Sequence, residues 1–305
     1  MEKKKKFAAK LSILSNLILT SLKFIAGIIT GSMSIVSEAI HSLSDLFASI
    51  VTFFSVLKSS KPADDDHPYG HGKYEDMSGF IEGMLIIFAS LCIIYEAVRK
   101  IIHNQPVETE NTLGIAVMFL AVVMNFLISA YLFRVSKESN SISLYADGQH
   151  LRTDVYSSIG VLLGLIVIKL TGYYVLDSLI AIFVALFIFN TGYKIIKQTW
   201  MRLLDHSLPE EEINKIKNIV SNFSPDVALK EHSIKTRRTG PSIDIDLILQ
   251  FKENTTLCEC HKICDEIEKQ IQAEFVNSSI SIHAEPVCYK KDCPTCKSEQ
   301  QVNIK

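Results

Sequence analysis

Six long apolar segments constrain this chain more than any other feature. Each segment is long enough to cross the roughly 30 Å hydrocarbon core of a bilayer as one helix. The chain has 305 residues, of which 48% are hydrophobic, so we expect an integral membrane protein. The six segments are Phe7–Ile29, Met33–Leu57, Met77–Ile101, Leu113–Phe133, Ser143–Leu170 and Val175–Thr199.

Polar residues are unevenly distributed among these segments. The first, second and fifth carry polar and charged side chains, whereas the third, fourth and sixth are predicted to be cleanly hydrophobic. Charged groups are expensive in lipid, so the three polar helices should face one another around a polar interior. We expect Lys23 of the first segment either to snorkel to the interface or to pair with an interior acid such as Glu38, rather than to bind metal.

Basic residues lie on one side of the predicted membrane domain. Lysines and arginines flank the segments on that side, but the loops 103–112 and 171–174 contain none. An excess of Lys and Arg marks the cytosolic side. We therefore predict a multi-pass protein of the cell (inner) membrane with both termini in the cytosol. The net charge of −2 gives no reason to expect a nucleic-acid partner.

The composition turns polar after residue 204. Periodicity and turn residues predict a helix from Pro209 to about Phe223, a helix over Thr256–Phe275, and strands over Val227–Arg237, Ser242–Phe251 and Ser279–Val287. The order αββαβ predicts a small ferredoxin-like α+β domain. The predicted fold is an α-helical membrane protein with six transmembrane helices in residues 1–204, a cytosolic metal-binding domain in 205–287 and a Cys-containing tail in 288–305.

Two predicted membrane helices carry the same pattern of acid, His and Asp. The two sets are Glu38, His41 and Asp45 on the second helix, and Asp147, His150 and Asp154 on the fifth. Residues at this spacing share one helix face. If the two helices pack together, two imidazoles and two carboxylates can converge as the tetrahedral N/O set that Zn²⁺ prefers. Mn²⁺ and Mg²⁺ prefer oxygen octahedra, whereas Cd²⁺, Co²⁺ and Fe²⁺ stay open.

The outer members of each pattern have a weaker claim to a ligand role. Glu38 and Asp147 lie one turn from the central His and Asp pairs. They could support the ligands, line an access path or simply lie at an interface.

A polar loop joins the second and third segments. Asp64, His67 and His71 lie within eight residues of one another in the run DDDHPYGHGK. Such a set can chelate a cation, although a solvated acidic loop is the alternative.

Six of the seven cysteines follow residue 257. Clustering of this kind predicts reduced thiols or metal ligands rather than a disulfide framework. A thiolate metal site and nonspecific tail thiols are both open. The cysteines are Cys258, Cys260, Cys264, Cys288, Cys293 and Cys296.

The chain resembles the cation diffusion facilitator family over nearly its whole length. The residues that carry the resemblance are Asn16, Lys23, Gly27, Gly31-Ser32, His41-Ser42-Leu43-Ser44-Asp45, and His150 with Asp154. Six helices followed by a cytosolic αββαβ domain complete the match. The resemblance implies a zinc-type cation efflux transporter that works as a homodimer in the bilayer, with Zn²⁺ both as cargo and at structural or regulatory sites.

The resemblance also implies roles for single residues. The implied transport site is His41, Asp45, His150 and Asp154, the implied loop site is Asp64, His67 and His71, and the implied cytosolic site is His232, Asp246, His261, His283 and Glu285. Asp246 and Glu285 stand where the family pattern has His and Asp, so the cytosolic site could hold one ion or two. A family salt bridge between the two domains corresponds to Lys73 and Asp205.

These residues predict an exchange of zinc for protons. The unperturbed pKa of His is about 6.5, so protons and metal compete for such a site near cytosolic pH. We expect antiport by alternating access. The alternatives are transport of Cd²⁺, Fe²⁺ or Co²⁺, and a membrane metal sensor or scaffold that moves nothing. An enzyme is not expected, because the chain has no HExxH pair and four protein ligands leave no position for an activated water.

Overall fold

The computed structural model describes residues 1–30, 33–103, 112–171, 175–223, 227–252 and 254–287. The chain divides into two compact units, one over Met1–Leu204 and a second that begins at Asp205.

The first unit is a bundle of long helices. They are α1 (Glu2–Thr30), α2 (Met33–Ser59), α3 (Lys73–His103), α4 (Thr112–Ser139), α5 (Ile142–Thr171) and α6 (Val175–Leu203). Within the described residues, all of them except α5 are long and apolar enough to cross a membrane. The first half of α5 carries Asp147, Arg152 and Asp154, as the predicted polar interior requires. The six helices confirm the predicted helical membrane fold.

Ion pairs hold the helices together at one end of the bundle, which we call the basic end. Here α1, α3 and α5 begin, and α2, α4 and α6 end. Lys4 lies 3.1 Å from Glu138 of α4, and Arg202 of α6 lies 3.7 Å from Asp76 of α3. Paired charges in the first and last turns therefore close the helix ends against one another. The other end of the bundle is called the opposite end.

Polar side chains and glycines set the helix packing. Between α1 and α2, Ser12 and Ser49 are hydrogen bonded at 3.0 Å, and Thr20 donates to the Ser42 carbonyl at 3.0 Å. Between α3 and α6, glycines such as Gly83 allow close approach of the backbones. Lipid supplies no hydrophobic force between helices, so such contacts decide which faces meet.

The third helix departs from the predicted clean hydrophobicity. Glu82 lies in its first third and is fully buried, and Thr52 of α2 donates a hydrogen bond to it. Glu75 and Asp76 in the first turn are also fully buried. α3 therefore adds carboxylates to the interior, because these side chains face other helices rather than lipid.

The second unit has the predicted order αββαβ. Its elements are α7 (Glu210–Ser221), β1 (Val227–Thr239), β2 (Ser242–Phe251), α8 (Leu257–Glu274) and β3 (Ser278–Pro286). The central strand β2 pairs antiparallel with β1 and parallel with β3. Alternate β2 residues Ile245, Leu247 and Leu249 are buried with Ile216 of α7 and Ile267 of α8. Period-two burial on β2 thus builds a two-layer core, and the predicted α+β fold is confirmed.

Replacing Gly83 by Leu should destabilise the bundle. A Cβ atom at this position would lie 2.7 Å from Ile196 Cγ1 and 3.2 Å from the Ile196 backbone nitrogen. Overpacking of this kind costs about 1–3 kcal/mol. We expect a lower melting temperature in detergent for Gly83→Leu, whereas Met84→Leu at the neighbouring exposed position should leave it unchanged. Equal melting temperatures for both variants would contradict the close α3–α6 contact.

Candidate metal centres

The membrane centre lies where α2 meets α5. One ligand atom each from His41, Asp45 and Asp154 lies within 4.8 Å of the others. His150 Nε2 lies 3.1 Å from Asp45 Oδ1. All four side chains of the predicted transport site therefore come together, because both HxxxD pairs face the same contact between the two helices. Their role as metal ligands stays a prediction.

The surroundings of Asp45 supply positive charge and hydrogen bonds. Lys23 is buried and donates to Ser42 Oγ at 2.7 Å, and its charge interacts with Asp45. Asn16 donates to the Asp45 carbonyl at 3.4 Å and to Ser49 Oγ at 2.6 Å. The side chain of Glu38, the predicted partner of Lys23, lies outside the described residues.

A cavity of about 210 Å³ adjoins the membrane centre. His41, Asp45 and Asp154 line one part of it, and much of the remaining lining comes from the first halves of α4 and α6. α4 and α6 both begin at the opposite end. The cavity therefore leads from the centre toward the opposite end of the bundle.

The loop between α2 and α3 brings its three candidate ligands together. Asp64, His67 and His71 each offer an atom within 4.8 Å of the other two. Asp64 lies 3.2 Å from His67 Nδ1 and 3.4 Å from His71 Nε2. The Nδ1 atom of His71 lies 3.2 Å from the Pro62 carbonyl, a contact that orients the other ring nitrogen toward Asp64.

The charge state of Asp64 follows from the same contacts. Desolvation opposes ionisation, but hydrogen bonds from the backbone and ring of His67, with the charges of both imidazoles, lower the pKa of Asp64 below its ordinary value. The carboxylate form that a cation needs is therefore favoured at neutral pH.

The cytosolic-unit candidates are less closely gathered. His283 Nε2 lies 3.7 Å from Glu285, and His261 lies 3.5 Å from Asp265. Asp246 is exposed on β2. Among the residues whose side chains are described, no three of these ligands lie within 4.8 Å of one another, and the side chain of His232 lies outside that set. The predicted five-residue site therefore stays a prediction.

Cys264 of α8 is a thiol rather than a thiolate at neutral pH. Burial raises the pKa of Cys264 to about 12, and the neighbouring Cys260 adds to the shift. Zinc binding at Cys264 would have to displace a proton. Cys288, Cys293 and Cys296 lie outside the described residues, so the predicted thiolate site is untested.

The predicted link between the domains is also untested. Lys73 donates to the Leu203 carbonyl at 3.4 Å, and Asp205 lies 3.5 Å from Arg237.

Among the side chains that the structure describes, Glu82 is the buried acid near the membrane centre that the sequence did not single out. It interacts electrostatically with His150 and Asp147 of α5. The available signal was an acid six residues into the apolar segment Met77–Ile101, since an acid in lipid needs an interior partner.

Comparison with known proteins identifies the class of protein. Residues 9–204 match the cation efflux transmembrane domain, and residues 208–287 match the cation efflux protein cytoplasmic domain. The chain therefore belongs to the cation efflux, or cation diffusion facilitator, family, whose members are transporters. It is a multi-pass membrane protein of that family, and this assignment fits the expectation that it is not an enzyme.

Individual relatives match over almost their full length. An uncharacterized transporter of Synechocystis is 36% identical over 281 residues, which cover 92% of this chain and 89% of the relative. The cation-efflux pump FieF of Shewanella oneidensis is 30% identical over 286 residues, covering 92% and 94%. An uncharacterized transporter of Methanocaldococcus jannaschii is 33% identical over 263 residues, covering 86% and 92%.

Replacing His71 by Ala should remove a zinc ion from the loop. The variant loses one of three converging ligands, and the remaining Asp64 and His67 bind too weakly to retain metal. We expect about one fewer zinc ion bound per chain by elemental analysis at neutral pH. His206→Ala, at an exposed histidine outside the loop cluster, is the control. An unchanged zinc count in His71→Ala would rule out the loop site.

Proposed function

We propose that this protein exports a divalent transition metal, foremost Zn²⁺, from the cytosol in exchange for protons. One observation carries the proposal. His41, Asp45 and Asp154 lie within 4.8 Å of one another inside the helical unit, and His150 contacts Asp45. Two imidazoles and two carboxylates form the ligand set that favours Zn²⁺.

Proton coupling follows from the chemistry of these ligands. A zinc ion needs neutral imidazoles and ionised carboxylates, so a proton on any of them competes with the metal. Protons arriving from the opposite side can therefore displace the ion. When no metal ion is bound, His150 Nε2 and Asp45 Oδ1 lie 3.1 Å apart. Neither side chain is then a lone buried charge.

The cavity and the basic end support alternating access. The cavity extends from the membrane centre toward the opposite end, while ion pairs such as Lys4–Glu138 and Arg202–Asp76 close the basic end. By the positive-inside rule the basic end is cytosolic. The conformation is then outward-facing, and separation of the basic helix ends would open the path from the cytosol.

The cytosolic unit regulates transport by the proposed homodimer in response to zinc. Zinc held by exposed residues of two such units would favour their association and link the cytosolic zinc concentration to transport. His283 and Glu285, 3.7 Å apart on β3, are the described residues placed most directly for this role.

Asp154→Asn should abolish metal transport. The substitution preserves the shape of the side chain but removes the negative charge that attracts and ligates the ion. In proteoliposomes with a proton gradient, we expect zinc uptake to fall by at least about tenfold, while Asp66→Asn in the exposed loop keeps the uptake of the unmodified protein.

Two results would oppose the proposal in different ways. Undiminished zinc uptake by Asp154→Asn would refute the site. Zinc binding without any uptake by the unmodified protein would favour a sensor or scaffold. Competition by Cd²⁺, Fe²⁺ and Co²⁺ in the same assay ranks the cargo.

A further inference from the structure

A column of buried polar side chains runs from the membrane centre toward the basic end. Two residues come from each of four helices, and all eight are at most 4% exposed. Hydrogen bonds connect neighbouring helices along the column, including Ser49 to Asp147 at 3.3 Å and Ser78 to Ser143 at 2.6 Å. The members are Ser12, Asn16, Ser49, Thr52, Ser78, Glu82, Ser143 and Asp147.

Two carboxylates occupy the centre of this column. Thr52 donates to Glu82 Oε1, and Ser49 donates to Asp147 Oδ1. Ser49 and Thr52 are three residues apart and share one face of α2. α2 therefore holds the acid of α3 and the acid of α5 on the same face, and the two carboxylates interact electrostatically.

Glu82 and Asp147 lie on the basic-end side of the membrane centre. Asp147 lies one helical turn closer to the start of α5 than His150 does, and Ser49 and Thr52 lie one to two turns closer to the end of α2 than Asp45. An ion that enters from the basic end would reach these acids before the membrane centre.

Each carboxylate retains an oxygen with no hydrogen-bond partner. Glu82 Oε2 and Asp147 Oδ2 are buried without a partner among the described residues, and so is His150 Nδ1. Glu82 and Asp147 are fully buried, and His150 is 4% exposed. Buried polar atoms are normally satisfied, so the free oxygens of Glu82 and Asp147 are available to a cation.

The charges of the region lead to the same conclusion. The groups that interact electrostatically with Glu82 are Asp147 and His150, and those that interact with Asp147 include His150 and Asp45. The nearby lysine of the basic end, Lys5, is already paired with Glu75. Two ionised carboxylates in a membrane interior are costly unless protons or a cation neutralise them, so this pair can exchange its protons for a cation.

We propose that Glu82 and Asp147 form a second cation-binding position, the inner acid pair, which holds the transported divalent metal ion before it reaches the membrane centre. This inference rests on the proposed transport function. Carboxylate oxygens of both residues bind the ion, and the free Nδ1 of His150 provides the next ligand atom on its route. Ser49 and Thr52 orient the carboxylates, as outer partners of metal ligands commonly do.

Variants of Glu82 test the pair by transport kinetics. Glu82→Gln retains an oxygen that can accept from Thr52 but lacks the charge, so we expect the KM for Zn²⁺ uptake into proteoliposomes to rise about tenfold or more with little change in kcat. Glu82→Asp keeps the charge and should raise KM less. Glu96→Gln, at an exposed acid on the same helix, should behave like the unmodified protein.

The kinetic outcomes separate a metal-binding role from a structural one. An unchanged KM in Glu82→Gln overturns the proposal. A second result also overturns the proposal: the Gln and Asp variants lose melting temperature and kcat equally and have the same KM. A purely structural role would give this result, because it depends on shape and hydrogen bonding.

Ion mapping tests the pair without any variant or any flux. Crystals of the whole chain soaked in Zn²⁺ should show anomalous scattering within bonding distance of both Glu82 and Asp147. Zinc at His41, Asp45 and Asp154 with none at the pair would overturn the inference while leaving the proposed function standing. If the unmodified protein transports no zinc, the proposed function fails, and the ion map still decides whether the pair binds metal.

Discussion

The contact of His150 with Asp45, 3.1 Å across the α2–α5 interface, is the interaction on which the interior of the helical unit depends. Both side chains are buried, and a charge in this environment needs a partner. The same two groups hold the helices together and belong to the candidate ligand set. An ion that binds there must replace the contact between His150 and Asp45 with coordination bonds. Metal binding therefore changes the packing of α2 against α5.

The two ends of the bundle differ in what fills the space between helices. Toward the opposite end there is a cavity lined by ligand side chains and apolar residues of α4 and α6. Toward the basic end there are packed serines, a threonine and carboxylates, closed by Lys5 and Glu75. Polar side chains that pack in one conformation can line a hydrated path in another, and hydrogen bonds to water then replace those between helices.

The candidate sites differ in how completely one chain assembles them. Asp64, His67 and His71 are close in sequence, so a single turn of the loop brings them together. The candidates of the cytosolic unit come from separate strands and a helix, and His261 and His283 point to solvent. Exposed side chains on separate elements have no interior packing to fix them, which fits a site completed by an ion or by a second chain.

The sequence by itself determined the number and order of the helices, the αββαβ unit and the matched HxxxD pairs, because hydropathy and residue periodicity are local properties of a chain. The tertiary structure alone decided that α3 contributes Glu82 to the interior, that Lys23 donates a hydrogen bond to Ser42, and that Glu82 and Asp147 each keep an oxygen with no hydrogen-bond partner among the described residues. These depend on which helix faces meet, and in lipid that choice is made by close packing and hydrogen bonds between distant residues. A pattern along one segment carries no record of them.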